Sequence, residues 1–148
     1  MLIRPATAAD VPSIEEIVNA AYTPYISRIG QPPAPMTVDY HRLVATTSNA
    51  SVLVEDSSVL GVIITVVEPD HLMIENVAVA PTAQGHGYGR TLLAHAEQQA
   101  HALGLSQLRL YTNAAMTENL TLYPRIGYVE VARRSEDGFE RVYFTKDL

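Results

Sequence analysis

The sequence holds no cysteine and no tryptophan. The absence of cysteine excludes disulfides, thiolate zinc sites and a cysteine nucleophile at once, and makes the reducing cytosol the natural compartment. Long apolar runs are missing too. The longest, Val59–Val67, includes Gly61 and is far shorter than the roughly 18 residues a membrane helix needs. Near the N-terminus, Arg4, Pro5 and Asp10 break up any signal-peptide core, so a soluble, untargeted, cytoplasmic protein is expected. Positive charge is also scarce: 10 Lys and Arg against 16 Asp and Glu leave a net charge of -6. Neutralising phosphates needs concentrated Lys and Arg, which argues against nucleic acid as a partner, while a cationic substrate is permitted. The 5 histidines show no metal spacing; His95 and His101 fall off a common helical face, so no metal is expected.

What is present is an ordinary globular composition, 47% hydrophobic and 18% charged over 148 residues. That length suits one core, and with no internal repeat and no linker a single domain over 1–148 is expected. Leu2–Arg4 reads as a first strand. Thr7-Ala8-Ala9-Asp10 is a cap signal ahead of Ile14, Ile17, Val18 and Ala21, which recur at helical spacing up to about Tyr22. Pro24, Pro32, Pro33 and Pro35 forbid a regular helix from Thr23 to Met36, predicting a long loop or broken helix, with a short helix from about Val38 to Thr47. Val52–Glu55 and Leu60–Glu68 read as a hairpin, Leu72–Val79 as a further strand, and Leu92, Leu93, Ala96, Ala100 and Leu103 as a helix stopped by Gly104. Strand Gln107–Thr112, helix Met116–Tyr123, and strands Tyr128–Arg133 and Phe139–Phe144 complete an α/β (α+β) order with a mixed sheet.

Between the strand ending at Val79 and the helix lies Gln84-Gly85-His86-Gly87-Tyr88-Gly89. Glycines at alternate positions let the backbone turn tightly and approach a ligand closely. The open amides and dipole of the helix that follows favour a phosphate there, with His86 and Arg90 able to add positive charge. A dinucleotide fingerprint fails, because Arg90 stands where a small residue is needed and Ser106 and Gln107 stand where an acid is needed. A P-loop fails for want of Gly-Lys-Ser or Gly-Lys-Thr.

The remaining pattern, Gln/Arg-x-x-Gly-x-Gly/Ala with Gln84, Gly87 and Gly89, resembles the GNAT superfamily of acetyl-CoA-dependent N-acetyltransferases. Val77-Ala78-Val79-Ala80-Pro81 is similar to the family strand that meets the pantetheine arm. Leu120–Tyr128, reading Leu-Thr-Leu-Tyr-Pro-Arg-Ile-Gly-Tyr, is similar to the family's second motif. The resemblance covers residues 50–145 well and 1–49 loosely. It implies a GNAT-like acyl-CoA N-acyltransferase fold, a central twisted mixed sheet flanked by helices, with acetyl-CoA as co-substrate. The implied contacts to coenzyme A are Val77, Ala78, Val79, Gln84, Gly85, His86, Gly87, Tyr88, Gly89 and Arg90, together with Asn113 and Asn119. The two asparagines either reach the pantetheine amides or close a turn. The expected acceptor is an amine of a small molecule or peptide. A homodimer is left open, and neither nucleic acid nor membrane is an expected partner.

Acyl transfer from a thioester to an amine needs a neutral nucleophile, a stabilised oxyanion and a proton for the departing thiolate. Deprotonating a lysine-like amine at neutral pH costs about 4.6 kcal/mol, and an α-amino group only about 1.4 kcal/mol. Glu75, two residues before Val77, either takes that proton, directly or through water, or merely closes the sheet surface beside a cation. The resemblance implies that backbone amides near Val77–Val79 face the oxyanion, the valine side chains being core. It also implies that Tyr123 is the general acid, the other role for that residue being a packed aromatic. Pro124 must end or bend the helix there, and Met116 stands where the family often has Asn. Tyr22, Tyr25, Asp39 and Tyr40 around the Pro-rich segment either recognise a cationic acceptor or pack the surface. The alternative to an enzyme is a non-catalytic acyl-CoA-binding regulatory or partner-binding module.

Overall fold

A computed structural model describes every residue from Met1 to Leu148. The strands form a mixed seven-stranded sheet in the order β1-β2-β3-β4-β5-β7-β6, flanked by helices. The residues pack as two compact units, Met1–Thr65 with Asn76–His95 and Val66–Glu75 with Ala96–Leu148. Strand β4 (Leu72–Val79) and helix α4 (Tyr88–Ala102) contribute residues to both.

In the first unit, β1 (Leu2–Pro5) runs antiparallel to β2 (Ala50–Glu55), and β2 antiparallel to β3 (Ser58–Val67). Asp56 and Ser57 turn that hairpin with φ of 51° and 65°, the left-handed pair that matches the twist of the flanking strands. Helix α1 (Val11–Tyr22) buries Val11, Ile14, Ile17 and Val18, one stripe of a 3.6-residue period, in a core with Val52, Val62, Ile64 and Ala78. Each such aliphatic side chain contributes about 1.5–3 kcal/mol through burial. The start of α1 is held by Asp10, whose carboxylate accepts from the Thr7 amide at 2.7 Å and pairs with both terminal nitrogens of Arg4 at 2.8 and 3.0 Å.

The Pro-rich segment is a chain of short turns rather than open loop: a 3-10 turn at Thr23–Tyr25, α2 (Ile26–Ile29) and a 3-10 turn at Ala34–Thr37, before α3 (Tyr40–Thr46). Gly30 ends α2 at φ 85°, a conformation that glycine adopts without a Cβ penalty. Gly61 in β3 has a different purpose. A Cβ there would sit 3.0 Å from Leu92 Cδ1 and 3.3 Å from the Ala78 carbonyl oxygen, so its absence lets α4 settle on the sheet.

In the second unit, β5 (Gln107–Asn113) pairs antiparallel with β7 (Phe139–Asp147) along its whole length, and β7 pairs antiparallel with β6 (Val129–Glu136). The parallel pairing of β4 with β5 is short, from Leu72↔Leu108 to Ile74↔Leu110. Helix α5 (Thr117–Arg125) stops just past Pro124, as its sequence requires. Both β6 and β7 end three residues later than their residue patterns predict: β6 continues along β7 through polar positions such as Ser135↔Glu140, and β7 continues along β5 to Gln107↔Asp147.

Candidate functional site

Strand alternation separates β4 into two sides. Leu72, Ile74, Asn76 and Ala78 are buried, whereas Met73, Val77 and Val79 are half-buried and Glu75 is exposed. The sequence reading of Val77 and Val79 as core residues is therefore corrected: the buried parity belongs to Asn76 and Ala78. The β4 to β5 register stops at Ile74, and residues 75–79 lie beyond it.

Asn76 is a polar hub in the first unit. Its Oδ1 accepts from the Tyr22 hydroxyl at 2.8 Å, its Nδ2 donates to the Tyr40 hydroxyl at 3.1 Å, and Tyr40 in turn donates to the Pro35 carbonyl at 2.5 Å. Tyr22 Oη also lies 3.4 Å from the Val77 carbonyl oxygen. A buried polar chain of this kind fixes the backbone around it. Of the four residues expected around the acceptor, Tyr40 lies in the core at 3% exposure. Asp39 caps α3 by accepting from the Arg42 amide at 3.1 Å, and the Tyr25 ring carries Arg28 at 5.0 Å.

After β4, a 3-10 turn at Pro81–Ala83 leads into the glycine loop, where Gln84 Nε2 donates back to the Val79 carbonyl at 3.3 Å. Gly85 and Gly87 take φ of 86° and 79°, and a Cβ at either would meet nothing within 4 Å. Both positions are thus chosen for backbone conformation and open space rather than for packing. The first helical bond runs from the Thr91 amide to the Gly87 carbonyl at 3.1 Å, so the amides of Tyr88, Gly89 and Arg90 precede the helical ladder. The dipole of α4 adds about half a positive charge at that end. His86 stacks on Tyr88 with centroids 5.7 Å apart, and its Nδ1 lies 3.1 Å from the Ala83 carbonyl oxygen. Tyr88 donates its hydroxyl to Glu55, which raises the phenol above its ordinary pKa. Gln84, His86 and Arg90 are exposed.

Glu75, Asn113, Asn119 and Tyr123 belong to the second unit. Asn113 Oδ1 accepts from the Ala115 amide at 2.9 Å and its carbonyl accepts from the Met116 amide at 2.9 Å, closing the turn after β5. Asn119 Nδ2 donates to Thr112 Oγ1 at 3.0 Å. Tyr123 is 6% exposed, packed edge-on against Tyr128 with centroids 5.4 Å apart and tilted against Phe144 at 5.6 Å. Burial pushes its phenol up to about 12, so the hydroxyl stays protonated at every working pH.

Two features escaped the sequence reading. Asn76 carries a signal in hindsight, a lone amide on the parity that otherwise holds Leu72, Ile74 and Ala78. The Glu55 to Tyr88 contact spans 33 residues and leaves no local trace.

The profile of the acetyltransferase (GNAT) family matches residues 11–128, and the chain belongs to that family. Over 61 residues it is 38% identical to the mycothiol acetyltransferase of Catenulispora acidiphila, a match that takes in 41% of this chain and 18% of that relative. The chain therefore spans under a fifth of the length of the curated relatives it matches. Among solved structures it is similar to the PaiA N-acetyltransferase of Thermoplasma acidophilum in complex with coenzyme A, with a TM-score of 0.81, 15% identity and coverage of 99% and 98%. It is also similar to the ribosomal-protein-S18-alanine N-acetyltransferase of Escherichia coli, with a TM-score of 0.76, 23% identity and coverage of 99% and 92%. At these identities the two structures speak to the fold.

Proposed function

We propose that this member of the GNAT family acts as one domain over residues 1–148 and transfers the acetyl group of acetyl-CoA to a primary amine of a small molecule or peptide. The observation that carries this reading is the head of α4. Two glycines at φ 86° and 79° open a backbone whose next amides, at Tyr88, Gly89 and Arg90, lie outside the helical ladder. Several N–H donors beside a positive helix end fit a pyrophosphate, and coenzyme A is the pyrophosphate-bearing ligand in the name of one structural relative.

In this reading the neutral amine attacks the thioester carbonyl, forming the C–N bond. Backbone amides in Val77–Val79 donate to the oxyanion, and its collapse breaks the C–S bond. Tyr123 gives its phenolic proton to the departing thiolate, and Glu75 takes the proton of the amine through water. Asn113 and Asn119 are offered to the pantetheine amides alongside the turn that Asn113 closes and the Thr112 hydroxyl that Asn119 meets. With the phenol at about 12 and a thiol at about 8.5, full transfer of the Tyr123 proton is uphill by about 5 kcal/mol. The tyrosinate must therefore be stabilised or quickly reprotonated.

The test is release of free thiol from acetyl-CoA over a panel of polyamines, aminoglycosides, amino acids and peptides. An alanine-first peptide belongs in the panel because of the Escherichia coli relative's name. Thiol release with acetylated amine detected by mass supports the reading. Binding of acetyl-CoA with no release for any acceptor favours a binding module instead. Tyr123→Phe is expected to retain acetyl-CoA binding while slowing transfer, and Glu75→Gln to slow it most at low pH, where amine deprotonation most needs a base.

A further inference from the structure

We propose that Tyr128 is a positioning residue for Tyr123, its hydroxyl donating a hydrogen bond to the phenolate oxygen formed there as the thiolate takes its proton. This rests on the general-acid reading of Tyr123 and adds a residue to it.

Tyr128 is 3% exposed, and its hydroxyl is a buried polar atom with no hydrogen-bond partner in the protein. Folded proteins satisfy the large majority of such groups, and an unmade buried hydrogen bond is destabilising. A phenylalanine would fill the same space without that defect. A buried hydroxyl without a partner calls for an explanation, and a role in the chemistry of its neighbour is one.

Its surroundings indicate the function. The Tyr128 amide donates to the Tyr123 carbonyl at 3.0 Å, closing the turn that leaves α5 and fixing the two residues to each other through the backbone. Their rings meet edge-on, at 69°. Lys146 Nζ lies 5.7 Å from the Tyr128 ring centroid and is bonded to Glu97. Gly127, at φ 98°, leaves room for the lysine stem; a Cβ there would sit 3.1 Å from Lys146 Cε. Tyr128 is thus held by its backbone bond to Tyr123 and by ring contacts with Tyr123 and Lys146. Its own phenol is raised by burial first, and then by the negative charges that Tyr123 and Glu97 can bear, so it stays a donor when Tyr123 becomes an acceptor.

The step balances without a further reagent. The Tyr123 O–H bond breaks as the thiol S–H bond forms, Tyr128 keeps its own proton while donating to the new oxyanion, and the amine proton first taken up by Glu75 is passed on through water to restore Tyr123. In a buried site, a hydrogen bond to a charged oxygen is among the stronger kinds.

The variant is Tyr128→Phe, read for Tm, acetyl-CoA affinity and kcat. The expected result is a raised Tm, because the orphaned hydroxyl is gone, an unchanged Kd for acetyl-CoA, and a kcat lower by roughly tenfold. A residue that only packs would raise Tm and leave kcat alone, and that result overturns the proposal. In a Tyr123→Phe background, Tyr128→Phe is expected to cost no further kcat; a second full loss overturns the coupling. The two readings fail differently. Wild-type turnover in Tyr123→Phe removes the general acid and this proposal with it, whereas slow Tyr123→Phe with normal Tyr128→Phe removes the pairing alone.

Discussion

The hydroxyl of Tyr88 donates to the carboxylate of Glu55, tying the first residue of α4 to the last residue of β2. A carboxylate held this way has its charge engaged by a donor at the same helix end that is proposed to receive a pyrophosphate. Tyr88→Phe releases that carboxylate and is expected to weaken coenzyme A binding several-fold through repulsion. Glu55→Gln in the same background should restore it. Calorimetric titration with coenzyme A checks both, and an unchanged Kd in Tyr88→Phe refutes the idea.

Gly87 and Gly104 form a matched pair for separating strain from binding. They have φ of 79° and 74°, and neither would bring a Cβ within 4 Å of a neighbour. Alanine at either is expected to cost about 1–2 kcal/mol of stability from the left-handed backbone alone. Only Gly87→Ala should also lose coenzyme A affinity, since its methyl would stand over the amides at the head of α4. Equal affinity losses in the two variants, by thermal shift and titration, would reject the loop as the anion site.

Asp10 gives the protein an acid-sensitive brace. The Arg4 guanidinium and the Thr7 amide lower its carboxyl from 3.8 to about 2, with the Arg4 hydrogen bonds first in effect. A depressed folded pKa means that the contribution is complete above the unfolded value and is lost as pH falls from about 4 to 2. Because Arg4 is partly solvated, about 1 kcal/mol is expected. Urea unfolding of Asp10→Asn should show that deficit at pH 7 and converge with the wild type near pH 2.

At the other end of the pH scale Tyr123 acts with the opposite sign. Burial raises its phenol from 10.0 to about 12. Its contribution is complete below pH 10 and is lost as pH rises toward 12, where the unfolded chain ionises first. The fall is expected to reach about 2–3 kcal/mol. Tyr123→Phe should flatten part of the decline in denaturant-unfolding free energy between pH 9 and 12; an unaltered decline means that the phenol is not desolvated in solution.

Much of the fold was legible because it obeys local rules. The stripe of Ile14, Ile17 and Val18 marked α1, the turn at Pro69-Asp70 and the stop at Pro81 marked β4 at Leu72–Val79, and the glycines marked the loop before α4. The ends of β6 and β7 were not legible, since a ladder between neighbouring strands extends through polar residues that carry no period of their own. The Pro-rich segment was expected as loop or broken helix and forms short turns, because proline bars a long helix without barring a single turn.

For the candidate site the division is similar. The sequence by itself determined the glycine loop, its place between strand and helix, and the order of both motifs, because those depend on backbone freedom and residue spacing within a short stretch. Only the tertiary structure decided that Asn76 links Tyr22 and Tyr40, that Tyr88 holds Glu55 and that Tyr128 keeps a buried hydroxyl beside Tyr123. Each of these depends on which side of an element faces inward and on what another element brings to meet it. Chain-distant packing sets that, and no local spacing encodes it.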